Sequence, residues 1–177
     1  MRVVAGELKG RRLTSPPRGR GIRPTSDRVR EALFSILGER VAGMSVLDLF
    51  AGTGALAIEA LSRGATRATL VDDDLAAARR NVEGLGLGER CRLVRSDVED
   101  YLEREKGAFG VIFCDPPYTL ADRLQAPLDK LLPSRLSAAG VVVVESATRN
   151  PLSLGLELHS QRSYGDTHIA IYGGGDG

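Results

Sequence analysis

Short runs of apolar residues alternate with amphipathic segments along most of the chain. The segments between the runs space their apolar residues three and four positions apart, which predicts helices. Five runs bounded by polar or glycine positions predict buried strands: SVLDLF, RATLVD, RCRLVRSD, FGVIFCD and GVVVVES. The final stretch, LELHSQRSYGDTHIAIYG, predicts two more strands joined by a turn at Gly165–Asp166. This order predicts a doubly wound α/β fold, with a mostly parallel seven-stranded sheet and a terminal antiparallel hairpin.

A further helix is predicted ahead of the first strand, in the segment DRVREALFSIL. Either Thr25 or Ser26 can cap its amino end. Its apolar residues form one stripe at helical spacing: Val29, Leu33, Phe34 and Leu37. In the later helical segment ADRLQAPLDKLL, we expect Pro127 to bend or interrupt the helix.

Composition indicates one globular domain in a chain of 177 residues, 42% of them hydrophobic and 27% charged. We expect no signal peptide and no membrane span, because no apolar run approaches the length that a span needs. The two cysteines, Cys91 and Cys114, lie in predicted strands without metal-type spacing. These features predict a cytoplasmic protein, a monomer without a metal site.

Positive charge is concentrated at the amino end. Residues 1–30 contain nine lysines or arginines and two acids, so this segment carries +7 and the rest of the chain −6. A basic arm on an acidic body favours a polyanionic partner, although a solvated terminal tail remains the alternative. The candidate contacts to RNA are Lys9, Arg11, Arg12, Arg18, Arg20, Arg23, Arg28 and Arg30. We expect the arm to be flexible except where the first helix fixes Arg28 and Arg30.

A glycine-rich turn follows the first predicted strand, in DLFAGTGAL. Gly52 and Gly54 begin the pattern G-x-G-x-x-A, and Asp72 ends the second strand 20 residues after Gly52. This spacing is typical of a site that binds a nucleoside ligand, with the acid on the ribose hydroxyls. A tight structural turn is the alternative, and both NAD and S-adenosylmethionine fit the pattern. Asp97, after the third strand, can reach an adenine amino group or cap the next helix.

The segment CDPPY at the end of the fourth strand carries the most specific chemistry. The exocyclic amine of a base is a poor nucleophile because its lone pair is delocalised into the ring. The Asp115 carboxylate and the Pro116 carbonyl can accept the two amine hydrogens and so direct the lone pair at a methyl donor. Tyr118 can stack on the base. A proline-rich loop with an aspartate cap is the structural alternative.

These motifs together resemble a known family. DLFAGTGALAIEALSRGA, LVDDD and DPPY look like a class I S-adenosylmethionine-dependent methyltransferase with a Rossmann-like sheet, and RVVAGELKGRRL with IRPTSDRVREALFSIL resembles the RsmD-type 16S rRNA (guanine-N2)-methyltransferases. The resemblance extends from Arg2 to about Tyr172. It implies methylation of the N2 amine of one guanine (position 966 in conventional rRNA numbering), in 16S rRNA or a partly or fully assembled small subunit.

The resemblance also assigns site residues. It implies that S-adenosyl-L-methionine is bound by Asp48, Phe50, Ala51, Gly52, Thr53, Gly54, Asp72, Asp97 and Val98. It implies catalysis by Asp115, Pro116, Pro117 and Tyr118. It divides the chain into an RNA-contacting arm, residues 1–25, and a methyltransferase domain, residues 26–175.

Other functions remain open from the sequence. An adenine-N6 methyltransferase would share DPPY, but the DNA enzymes usually carry a separate target-recognition region. A protein glutamine methyltransferase would usually carry Asn at position 115. An NAD-dependent oxidoreductase accounts for the glycine turn but not for DPPY, and a non-enzymatic RNA-binding assembly factor accounts for the arm but not for the cofactor loop.

Overall fold

The structure, a computed structural model, describes residues 1–15 and 25–173. A seven-stranded sheet in the order β3-β2-β1-β4-β5-β7-β6 forms its centre. The first five strands are parallel, and β7 is antiparallel to both β5 and β6. The strands are β1 Ser45–Leu49, β2 Arg67–Asp72, β3 Cys91–Arg95, β4 Phe109–Cys114, β5 Leu136–Ala147, β6 Glu157–Tyr164 and β7 Thr167–Gly173. The predicted doubly wound α/β sheet with its terminal hairpin is confirmed.

Helices cover both faces of this sheet. The helices are α1 Asp27–Leu37, α2 Ala55–Ser62, α3 Ala76–Gly84, α4 Val98–Arg104 and α5 Ala121–Leu131. Short 3-10 turns occupy Gly38–Val41, Gly88–Arg90, Tyr118–Leu120 and Pro133–Arg135. Apolar residues of α1, α2 and α3 share one core, and those of α4 and α5 share a second core on the opposite face. Strand side chains alternate between the two cores, as a doubly covered sheet requires.

Pro127 does not interrupt α5, so one of the two effects expected from the sequence, a break in the helix, does not occur. The helix is continuous from Ala121 to Leu131 with Pro127 inside it. Leu124 and Leu128 lie on its buried face and pack in the second core. Burial of this apolar face keeps the helix together even though proline removes one backbone donor.

The first helix begins where the sequence predicts. Ser26 is the N-cap, and its hydroxyl accepts a hydrogen bond from the Val29 amide at 3.2 Å. The apolar stripe is buried as expected: Val29, Leu33, Phe34 and Leu37. Thr25 does not cap the helix, because its hydroxyl donates instead to Glu145 Oε2 at 2.7 Å.

The amino-terminal segment is docked on α2, so its described part is not the flexible platform expected from the sequence. Residues 1–13 fold back on themselves through an antiparallel bridge between Arg2 and Arg12. The amides of Val4 and Ala5 donate to the two carboxylate oxygens of Glu59 at 2.8 and 2.9 Å. Gly6 lies so close to the end of α2 that an added Cβ would be 1.8 Å from the Ser62 carbonyl oxygen. Only a glycine allows this approach.

Arg30 is part of the same docking contact, which corrects its assignment as an RNA-binding residue. Its side chain is fully buried, with Nε 3.5 Å from Glu59 Oε2 and Nη2 2.9 Å from Asp27 Oδ1. Nη2 also donates to the backbone carbonyl of Arg2. A buried arginine held by carboxylates cannot reach a nucleic acid, so Arg30 joins α1, α2 and the amino-terminal segment.

In the described ranges, no helix is long and apolar enough to cross a membrane. Both cysteines are free, with Cys114 buried and Cys91 partly buried. Burial raises the pKa of the Cys91 thiol to about 11. Burial also raises the pKa of the Cys114 thiol. Neither thiol is therefore activated as a nucleophile.

The contact with Glu59 predicts a specific loss of stability. We expect Glu59→Gln to lower the free energy of unfolding by about 3 kcal/mol, because it leaves the buried Arg30 charge with too little compensation. Urea denaturation followed by circular dichroism measures this change. The control is Glu103→Gln on the exposed face of α4, which should change stability by less than about 0.5 kcal/mol. Equal denaturation midpoints for the two variants would contradict the account.

Candidate functional site

The candidate site lies at the carboxyl edge of the parallel strands. In this sheet β1 lies between β2 and β4, so the connections from β1 and from β4 leave toward opposite sides. Such a switch in strand order opens a crevice at the carboxyl ends, where doubly wound proteins bind their ligands. The glycine-rich turn follows β1, and the Asp–Pro–Pro–Tyr segment follows β4. The fold therefore brings together the two motifs that the sequence singled out.

The loop after β1 adopts a backbone conformation suited to a ligand. Phe50, which is partly buried, has a φ of 62°, which is uncommon for a residue other than glycine. The Ala51 amide donates to the Val71 carbonyl at 3.1 Å, and the Gly54 amide donates to the Ala51 carbonyl at 2.8 Å. Gly54 then serves as the N-cap of α2. Strained backbone held by such bonds is common at binding sites.

Open space beside Gly52 fits a nucleoside cofactor. Gly52 has a φ of 56°, and the atom nearest to an added Cβ would be the Phe50 carbonyl oxygen at 4.0 Å. Its amide donates to Asp72 Oδ2 at 2.7 Å, while Asp72 Oδ1 accepts from the Asp74 amide at 3.2 Å. Burial raises the pKa of Asp72. A carboxylate has lone pairs beyond these two bonds, so Asp72 can still accept from ribose hydroxyls.

Asp48 and Thr53 support the loop from inside. Asp48 is buried and its Oδ2 accepts from the Ala57 amide at 3.1 Å. Burial raises the pKa of Asp48 to about 8, and the nearby Asp72 charge adds to the shift. A buried carboxyl of this kind favours a cation nearby, because a positive charge would stabilise its ionised form. Thr53 is also buried, and its carbonyl accepts from Asn81 Nδ2 at 2.9 Å.

The two residues assigned to the cofactor after β3, Asp97 and Val98, both have structural roles in the fold. Asp97 is exposed and caps α4, with Oδ1 accepting from the amides of Glu99 and Asp100 at 2.9 and 3.4 Å. The helix-cap alternative is therefore confirmed, and contact with adenine stays a prediction. Val98 is buried in the core beneath α4 and α5. Its side chain packs in this core, so a contact with the cofactor would have to involve its backbone and stays a prediction.

The Asp–Pro–Pro–Tyr segment makes a corner just beyond β4. The Asp115 amide lies 3.5 Å from the Leu49 carbonyl oxygen at the end of β1. Asp115 is partly exposed, Pro116 is buried, and Pro117 is exposed. Tyr118 is 39% exposed, and its hydroxyl lies 3.4 Å from Thr167 Oγ1. The Tyr118 side chain therefore lies partly exposed beside β7, at the corner that follows β4.

Three carboxylates converge on one face of the sheet. Side chains alternate along each strand, and the neighbours of these acids in β4 and β5 pack in the core beneath α1, α2 and α3: Val111, Phe113, Val141 and Val143. Asp48, Asp115 and Glu145 therefore all point toward this layer. Burial raises the pKa of Asp115 well above its usual range, and the charges of Glu145 and Asp48 raise it further. Burial also raises the pKa of Glu145.

Thr25 connects α1 to this acidic group. Its hydroxyl donates to Glu145 at 2.7 Å, and its hydrogen bonding lowers the pKa of both Asp115 and Glu145 against the larger effect of burial. The sequence analysis did not identify Thr25 or Glu145 as site residues. The signal for Glu145 was available, because an acid follows the apolar run GVVVV as Asp115 follows GVIFC.

A cleft of about 310 Å³ opens beside these residues. Thr25, Arg28, Tyr118, Glu145 and Thr167 line it, and Asp115 is not among the lining residues. Its volume is at the lower end of the range of roughly 300–1,000 Å³ for small-molecule sites. The cleft thus lies between the amino end of α1 and the corner after β4. In the part of the chain that the structure describes, no group of His, Cys, Asp and Glu residues could hold a metal ion.

The basic candidates separate into three groups. Lys9, Arg11, Arg12 and Arg28 are exposed, and Arg30 is buried. Arg18, Arg20 and Arg23 lie outside the described residues. Asn81, which the sequence analysis missed, ties the segment carrying Lys9, Arg11 and Arg12 to the loop: its Oδ1 accepts from the Thr14 amide at 2.7 Å, and its Nδ2 donates to the Thr53 carbonyl.

Comparisons with known proteins match nearly the whole chain. The family model described as Conserved hypothetical protein 95 matches residues 1–173. YlbH of Bacillus subtilis (strain 168), named as a candidate rRNA methyltransferase, is 38% identical, covering 97% of this chain and 98% of that protein. The ribosomal RNA small subunit methyltransferase D of Escherichia coli (strain K12) is 33% identical, covering 97% and 89%. The structure of a hypothetical protein from Thermus thermophilus has a TM-score of 0.82 at 32% identity, covering 98% and 99%.

Proposed function

This chain belongs to the family described as Conserved hypothetical protein 95, and we propose that it is an S-adenosylmethionine-dependent methyltransferase of small-subunit rRNA. The names of its relatives from B. subtilis and E. coli support methylation of rRNA. One observation supports the proposal most directly: the open glycine loop after β1 and the Asp–Pro–Pro–Tyr corner after β4 lie at the carboxyl ends of neighbouring parallel strands. We further propose that the acceptor is the N2 amine of one guanine.

The cofactor fits the residues around the loop after β1. The backbone of Ala51, Gly52 and Gly54 leaves room for it, and Asp72 accepts from its ribose hydroxyls. Asp97 follows β3 at the same edge of the sheet, and its carboxylate accepts from the adenine amino group in this proposal. The Asp48 carboxylate lies beneath the loop and attracts the positively charged sulfonium end of the ligand. When bound, S-adenosylmethionine supplies an electrophilic methyl group on a sulfonium sulfur.

The corner after β4 orients the nucleophile. The Asp115 carboxylate accepts one hydrogen of the amine and the Pro116 carbonyl accepts the other, so the nitrogen lone pair points at the methyl carbon. A new N–C bond forms as the C–S bond breaks, and the nitrogen then loses a proton. Asp115 is a suitable acceptor for that proton because burial and neighbouring charges raise its pKa. Positioning of this kind can lower a barrier by about 7–11 kcal/mol.

Access to the amine requires the guanine to leave its stack. Tyr118 then holds the base, and stacking on an aromatic ring contributes about 1–3 kcal/mol. The contact between the Tyr118 hydroxyl and Thr167 limits rotation of the ring. The flipped base enters through the cleft bounded by Thr25 and Glu145 and extends beyond it to Asp115, which lies beside Glu145 on the neighbouring strand.

The exposed basic residues provide the RNA-binding surface. Lys9, Arg11 and Arg12 lie on the segment that Asn81 fixes beside the cofactor loop, and Arg28 lines the cleft. Their charges attract the phosphate backbone, and the cleft selects the nucleotide. We propose residues 1–25 as the RNA-contacting segment and residues 26–175 as the catalytic domain. Its substrate is 16S rRNA within a partly or fully assembled small subunit, and the enzyme acts as a monomer.

The catalytic assignment predicts the effect of Asp115→Ala. We expect methyl transfer to fall by about 100- to 10,000-fold, since the amine loses both its orienting acceptor and its proton acceptor. The assay follows labelled methyl from S-adenosylmethionine into small subunits from cells that lack the enzyme, and nucleoside mapping should find N2-methylguanosine. Cofactor affinity by calorimetry should stay within a few-fold. The control Asp100→Ala on the exposed face of α4 should retain activity. Full activity of Asp115→Ala would remove the catalytic assignment.

The RNA-binding surface predicts a change in salt dependence. Replacing Arg11 and Arg12 with Gln should weaken RNA binding and reduce the slope of log affinity against log salt by about one to two, because two phosphate contacts are lost. Filter binding at several salt concentrations measures the slope. The matched control replaces Arg104 and Arg123 with Gln. These two residues are exposed on α4 and α5, on the opposite side of the sheet. If both pairs change the slope equally, the amino-terminal segment is not the binding surface.

A further inference from the structure

Glu145 has a position that the chemistry above does not explain. The pairing of β4 with β5 ends at Cys114 beside Val144, so the next residues, Asp115 and Glu145, lie side by side. Both face the layer beneath α1, and the charge of Glu145 acts on Asp115. A second carboxylate next to a catalytic carboxylate is costly, because like charges in a buried site repel. Donors to this pair therefore matter, and among the described residues the Thr25 hydroxyl is one of them.

The surroundings of Glu145 direct it toward the cleft. The residue is 6% exposed, and it lines the cleft together with Tyr118. Thr25 donates to Oε2 and so fixes one side of the carboxylate. A base stacked on Tyr118 would thus have Asp115 and Glu145 as neighbouring acceptors along one edge.

We propose that Glu145 selects guanine by accepting the N1–H that lies next to the reacting N2 amine. Guanine presents these two kinds of donor side by side on its Watson–Crick edge, so it matches two adjacent carboxylates. Adenine presents an unprotonated N1 beside its amine, and the lone pair of that nitrogen would face a carboxylate. Glu145 therefore accepts guanine and rejects adenine, while Asp115 and Pro116 act on the amine itself. This inference rests on the proposed function and specifies how that site recognises its base.

A base analogue separates recognition of N1 from the chemistry at N2. 2-Aminopurine keeps the N2 amine, but its N1 carries no proton. The test uses small subunits whose 16S rRNA contains 2-aminopurine in place of the guanine that nucleoside mapping identifies. We expect the wild-type enzyme to prefer guanine by at least about 100-fold in kcat/KM, because the analogue leaves a buried acceptor unpaired.

Glu145→Gln should change this preference. Its amide can donate to the unprotonated N1 of 2-aminopurine, and its carbonyl can still accept the guanine N1–H. We expect the ratio of kcat/KM for guanine over 2-aminopurine to fall by about 10- to 100-fold. Glu145→Ala should lower activity on guanine without improving activity on the analogue. The control Glu157→Gln on the exposed edge strand β6 should leave the ratio unchanged.

The outcomes distinguish this inference from the function on which it rests. Equal use of guanine and 2-aminopurine by the wild-type enzyme would overturn the role of Glu145, and this result does not depend on any variant folding. An unchanged ratio in a folded Glu145→Gln protein that still methylates guanine would overturn it as well. In both cases the proposed methyltransferase function would stand. Failure of the wild-type enzyme to methylate the rRNA would overturn both.

Discussion

The site depends on three acids that lie close together at the ends of parallel strands, of which Asp48 and Glu145 are buried and Asp115 is partly exposed. Asp48, Asp115 and Glu145 face one layer, and burial raises the pKa of each. Such a group destabilises the ligand-free protein unless donors compensate it. The Ala57 amide donates a hydrogen bond to Asp48. Hydrogen bonding by the Thr25 hydroxyl lowers the pKa of both Asp115 and Glu145. Negative charge in such a group favours ligands that bring positive charge or N–H groups, and the sulfonium and the amine edge of a base that we propose as ligands have these properties.

The contacts around this group connect substrate binding to the rest of the fold. Thr25 and Ser26 are adjacent, so the residue that caps α1 follows the residue that contacts the acids. Arg30 of the same helix pairs with Glu59 of α2, and α2 begins at the cofactor loop. Glu59 also holds the amino-terminal segment. The amino-terminal segment, the loop after β1 and the cleft are therefore joined by hydrogen bonds and one buried ion pair.

Sequence patterns predicted the elements but not the contacts between them. The alternation of apolar runs predicted the sheet, and the spacing from Gly52 to Asp72 predicted the contact between the loop after β1 and the end of β2, because both signals are local in the chain. Arg30 was assigned to RNA because it lies in the basic segment, on the first turn of the predicted helix, and its partner Glu59 is distant in the chain. Glu59 is the single acid within the apolar segment GALAIEALS, and an acid in such a segment indicates a buried ion pair. Docking of the first residues uses backbone amides, which no side-chain pattern reveals.

The central claim is that methyl transfer requires ionised Asp115 beside a second buried carboxylate, and the pH dependence of single-turnover transfer tests it most directly. A protonated carboxyl cannot accept the amine hydrogen, so the rate should fall as pH drops through the raised pKa of Asp115, well above the ordinary value of about 3.9. Removing the neighbouring charge with Glu145→Gln should lower that pKa and move the acid limb of the profile to lower pH. Superimposable profiles of the wild-type and Glu145→Gln proteins would contradict the account.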